Sequence, residues 1–80
     1  MKGAPKPREL DVGPLIEQGR APLPAIMNAV ASLEAGQSLR IRAPFDPAPL
    51  RERLEARGFS HTTKQTAEGI WLVKFTPPRD

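Results

Sequence analysis

Apolar and polar residues change places along this chain in two rhythms. Glu9-Leu10-Asp11-Val12 alternates, the period of a short half-buried strand, and Gly13-Pro14 ends it. Residues 15–21 read as a loop. From Pro22 the rhythm becomes helical: Leu23, Ile26, Met27, Val30 and Leu33 form one apolar stripe. Pro22 and Pro24 fit only near a helix start, because proline lacks the N–H the interior ladder needs. Gly36 follows the stripe and is expected to cap the helix in the left-handed conformation.

Alternation then returns. Leu39, Ile41 and Ala43 face one way and Arg40 and Arg42 the other, over residues 38–43. Asp46 is placed to cap a second helix with Pro47 at its first position. Leu50 and Leu54 lie on one side of that helix, and Gly58 stops it. Phe59 to Thr66 is rich in Ser and Thr and leans toward strand. Ala67-Glu68-Gly69 signals a turn, and Ile70-Trp71-Leu72-Val73-Lys74-Phe75 is apolar enough for a central strand. Pro77-Pro78 terminates it.

The order is therefore β-α-β-α-β-β. Two strand–helix–strand passages progressing the same way put both helices on one face, and the closing hairpin is antiparallel. With the apolar last strand inside, the expected fold is an α+β two-layer sandwich. Its four-stranded mixed sheet has the order 1-2-4-3, with the fourth strand running against the others. This arrangement sets Glu9 and Asp11 beside Arg40 and Arg42 on an open face, with Lys74 flanking the arginines. Leu10, Val12, Trp71, Val73 and Phe75 join Leu39 and Ile41 on the covered face.

Composition narrows the chemistry. Eighty residues make one domain, taken as residues 8–77 behind a disordered basic tail at 1–7. A chain this short buries only about 60% of its unfolded surface. It has no cysteine, so disulfides and thiol chemistry are excluded, and one histidine cannot make an ordinary zinc site. No metal or other cofactor is expected. No apolar run approaches the ~20 residues of a membrane span, and the start of the chain does not read as a secretory signal. The expected setting is cytoplasmic and the expected state a monomer. The net charge of +3 is carried by Lys2, Lys6 and Arg8, and from Glu9 onward nine basic residues balance nine acidic ones. Nucleic acid is thus the disfavoured partner. A basic stripe of Arg40, Arg42, Lys64 and Lys74 reads better as a solvated, ion-paired face, because stacking on bases would want aromatics among them. His61 stands alone on a strand, and Ser32, Ser38 and Ser60 have no histidine and acid at spacing suited to a hydrolase, so no catalytic residue is assigned.

The segment with the most to say is Gly19-Arg20-Ala21-Pro22-Leu23-Pro24. It resembles the Cys-Pro-x-Pro helix head of the TusA/SirA-like sulfur-carrier proteins, with Ala21 where the reactive cysteine would stand. Leu10-Asp11-Val12, Gly36-Gln37-Ser38-Leu39 and Leu54-Glu55-Ala56-Arg57-Gly58-Phe59 resemble further segments of that family, and the likeness runs from Glu9 to about Phe75. An uncharacterised branch is closer still. It carries Asp-Pro-x-Pro-Leu, matched by Asp46-Pro47-Ala48-Pro49-Leu50, and often Arg-His-Pro where this chain has Arg20-Ala21-Pro22.

The resemblance implies the fold. It does not carry the sulfur transfer over, since a helix N-terminus activates a thiol by favouring its thiolate and Ala21 has nothing to ionise. What remains at the head is a docking surface of Arg20, Ala21, Pro22, Leu23 and Pro24, with N–H groups at Leu23 and Ala25 facing a partner's carboxylate or another anion. The plain alternative is a Pro-rich loop that merely enters a helix. The favoured function is a non-catalytic protein-binding module. The alternatives are a sulfur-relay accessory protein and an RNA-binding domain, the latter because a related fold occurs in the C-terminal domain of a bacterial translation initiation factor.

Overall fold

A computed structural model describes residues 5–78 of the chain. Four strands and three helices follow one another: β1 (Arg8–Asp11), α1 (Gly13–Glu17), α2 (Pro22–Ala31), β2 (Leu39–Ala43), α3 (Ala48–Ala56), β3 (Ser60–Gln65) and β4 (Trp71–Thr76). The sheet order is β1-β2-β4-β3, with β1 parallel to β2 and β4 antiparallel to both β2 and β3. This is the expected α+β topology.

The alternation in β2 is realised without exception: Leu39, Ile41 and Ala43 are buried, and Arg40 and Arg42 are exposed. Register carries that parity across the sheet. Ile41 stands beside Leu10 on one side and Val73 on the other, and Leu39 stands beside Phe75. The core closes where these residues meet Ile26, Ala29 and Val30 of α2 and Leu50 and Leu54 of α3. It contains no buried polar or charged residue among those described. The other face is wet. Glu9 pairs with Arg40 at 3.5 Å and Asp11 with Arg42 at 3.9 Å, and all four side chains are more than half exposed. Pairs this open add little stability.

Residues 15–21 are not all loop. Pro14 sets the backbone for a first turn, the N–H of Ile16 donates to the carbonyl of Val12 at 3.1 Å, and Leu15 and Ile16 pack against the core. Gly19, at φ 73°, closes this helix: its N–H reaches the Ile16 carbonyl and that of Arg20 reaches Leu15, both at 2.9 Å. The pair is a Schellman ending, which needs a left-handed residue and so favours glycine. The same device ends α3, where Gly58 donates to Glu55 and Phe59 to Leu54.

Gly36 has a different role from the one expected. Helix α2 stops at Ala31, and the Ser32 hydroxyl donates to the Ala29 carbonyl at 3.0 Å. Gly36, at φ 78°, serves a separate turn in which Gln37 N–H donates to the Glu34 carbonyl. Asp46 does not cap α3 either. Pro47 holds the N-cap position, and the Asp46 carboxylate accepts a hydrogen bond from Arg51 instead. Trp71, expected in the core, is half-buried and outside it. Its cross-strand partners are Ala43 and Gln65, one small and one polar, so no large apolar neighbour draws it in.

Of the expected tail at 1–7, residues 1–4 lie outside the described residues. Residues 5–7 form no regular element, although Gln37 Nε2 donates to the Lys6 carbonyl at 2.9 Å. Among the described residues no helix is long and apolar enough to cross a membrane.

Candidate functional site

Because β1 and β2 are parallel and each leads into a helix, α2 and α3 begin at the same end of the sheet. Both helix heads are built with prolines. Pro22 and Pro24 open α2, and Pro47 and Pro49 flank the first residue of α3. Neither head has a side-chain cap: Ala21 and Pro47 occupy the N-cap positions and offer no oxygen. Prolines also remove N–H groups that would otherwise need partners, so each head is left with an apolar rim and few donors.

Between the two heads lies an apolar groove of about 150 Å³. Pro22, Leu23 and Ile26 form one wall, and Pro47, Pro49 and Leu50 the other. Val12, Ile41 and Ala43 floor it from the C-terminal ends of the two parallel strands. Phe45, at 43% exposure, stands beside it as the one large apolar side chain exposed among the described residues. A neighbouring ion pair steadies its loop. Arg51 hydrogen-bonds Asp46, and that contact raises the guanidinium's pKa above its ordinary value against the opposing effect of burial. Arg53 is the charged residue on the groove wall. It is exposed, and no acidic oxygen of the described residues lies within 4.0 Å of it.

The five residues marked from the sequence divide here. Pro22 and Leu23 line the groove and are half-buried. Arg20, Ala21 and Pro24 are exposed around the helix start and do not line it. Ala21 is at the lip of the helix, extended at φ −69° and ψ 129°, as an N-cap residue should be. An oxygen there would reach the free N–H of Leu23. Ala21→Asp is therefore expected to stabilise the fold by about 1 kcal/mol. In a domain of this size that raises Tm by roughly 4–8 °C, and a thermal melt reads it directly.

The residues the sequence reading missed are Phe45, Pro47, Pro49, Leu50 and Arg53. Pro47, Pro49 and Leu50 belong to the motif of residues 46–50, but spacing along one helix does not say that a second head faces it. The signal was in the topology: two parallel strands each followed by a helix on the same face must bring both helix starts to one end, where ligands of open α/β sheets commonly bind.

Elsewhere the side chains are quieter. His61 Nε2 lies 2.7 Å from Glu55 Oε2 and its ring meets Phe75 edge-on at 5.9 Å, which ties β3 to α3. On the open face, Leu72 is half-buried between Arg42 and Lys64, and Lys64 and Lys74 make no ion pair among the described residues. No three His, Cys, Asp or Glu side chains of the described residues gather as a metal site.

Fold and groove together define a small two-layer α+β domain whose apolar concavity lies at two adjoining helix heads. The chain belongs to the uncharacterised conserved protein family DUF2249, whose model matches residues 9–77. No curated protein and no solved structure matches it.

Proposed function

We propose that this protein is a non-catalytic, monomeric binding module that docks a protein partner at the paired heads of α2 and α3. The observation carrying this reading is the groove itself, open and apolar, with Phe45 standing exposed beside it. A solvent-facing aromatic costs free energy and favours association, and side chains of this kind anchor interfaces. The reading also draws on the resemblance of Ala21-Pro22-Leu23-Pro24 to the TusA/SirA-like helix head, in which the position of Ala21 would carry sulfur. Here a methyl group stands there, so the partner is met by contact and not by transfer.

The test is cross-linking in cells that express the protein, followed by capture with Arg20→Glu and Pro22→Ala variants of unchanged melting temperature. Loss of the same cross-linked protein from both variants supports the reading. Retention of every partner by both overturns it.

A second reading, RNA binding, draws on the open sheet face, where Arg40, Arg42, Lys64 and Lys74 outnumber Glu9 and Asp11 around a broad depression. That face carries no aromatic side chain to stack on bases. RNA binding would show a steep loss of affinity with salt and its abolition by Arg42→Glu.

A further inference from the structure

We infer that the groove takes an apolar side chain flanked by carboxylates, so that the partner's docking element is a short acidic-apolar peptide segment. This rests on the docking reading above and adds the chemistry of the occupant.

Size comes first. An apolar cavity of about 150 Å³ accommodates a benzene-sized group. A groove of that volume, walled by Leu23, Ile26 and Leu50, matches one phenylalanine or leucine side chain. Phe45 stands where it can cover the inserted group.

Charge comes second, and it is lopsided. Arg53 lies on the wall with no acidic partner among the described residues, and Arg20 precedes the helix start in the same condition. No acidic side chain lines the groove, and of the acids next to its residues in sequence Asp46 is engaged by Arg51 and Asp11 by Arg42. The wall therefore presents one uncompensated guanidinium, that of Arg53, beside an apolar slot, with Arg20 outside the groove at the start of α2. A segment carrying Asp or Glu next to its anchor satisfies both, whereas a basic segment meets repulsion at the rim. Rim charges of this sort set which partner is accepted more than they set total affinity.

The probe is a blocked dodecapeptide with a central Asp-Leu-Phe-Glu in neutral polar flanks, titrated into the ¹⁵N-labelled protein. Two controls replace its acids with lysine or its Leu-Phe with alanine. The acidic-apolar peptide is expected to move the amide signals of Leu23, Ile26, Phe45 and Leu50. It should bind about tenfold more tightly than the lysine version, since the exchange replaces an attraction to Arg53 with a repulsion. Arg53→Glu should reverse that preference with no change in Tm. Equal binding of the lysine peptide, equal binding of the alanine peptide, shifts confined to Arg40, Arg42 and Lys74, or no binding at millimolar peptide each overturns the inference. None of these outcomes decides the docking proposal, which stands or falls on the cross-linked partner.

Discussion

Replacing Phe75 with alanine is expected to cost about 3–5 kcal/mol and to leave much of the protein unfolded at 37 °C. Phe75 is 0% exposed and sits on β4, inside the sheet between Leu39 of β2 and His61 of β3. Its ring belongs to the core cluster to which both α2 and α3 contribute, and it lies 5.9 Å from the His61 ring in an edge-type arrangement. A domain of this length has roughly 4–12 kcal/mol of stability in all, so one large cavity consumes a major share of it. The core has no disulfide behind it to absorb the loss. Urea unfolding followed by the fluorescence of Trp71, the only tryptophan, gives the measurement. Phe75→Leu, which keeps most of the volume, should retain the native transition at a lower midpoint. A Phe75→Ala variant within about 1 kcal/mol of the parent would mean that the core collapses around the vacancy and that the packing described for β4 is wrong.

The second large effect concerns binding far more than stability. Phe45→Asp is expected to weaken the protein partner by about 30-fold or more, the loss typical of a truncated interface anchor. Phe45 is 43% exposed and buries the remainder, so the change should cost about 1 kcal/mol of folding free energy and leave the domain folded. The pairing of those two results is what matters. A loss of partner with an intact melt places the contact at the groove, whereas a loss of both would show only that the loop supports the fold. Arg40→Glu, on the opposite face of the sheet, is the control and should retain the partner. If Phe45→Asp keeps its partner at parental affinity, the docking surface lies elsewhere.

The strands were legible because period-two alternation is a strong signal when one face is wet. Leu39, Ile41 and Ala43 could hardly be arranged otherwise, and the pairing of Glu9 and Asp11 with Arg40 and Arg42 follows from their parity. The helix that was missed, α1, has five residues. That is too few for a 3.6-residue period to show, and only the proline at its start and the glycine after its end mark it. Asp46 misled for another reason. An aspartate before a proline is a good cap in isolation, but Arg51 offers its carboxylate a charged donor one turn along, and that contact takes the side chain away from the helix end. Gly36 likewise had two uses open to it, and the Ser32 hydroxyl bond accompanies the earlier stop of α2. At the functional surface, Pro22 and Leu23 could be named because they belong to one continuous motif. The opposing wall could not, since it depends on a contact between segments more than twenty residues apart in sequence.

The outermost strand β3 reads Ser-His-Thr-Thr-Lys-Gln and carries no aliphatic side chain. An unpaired border of this kind offers backbone hydrogen bonds to any extended chain that drifts against it, but nothing apolar for that chain to bury, and Lys64 adds a charge that disfavours pairing. The sheet is thus guarded against lateral growth into fibrils along that side, while the apolar groove lies in the helix layer, where a specific contact can make use of it.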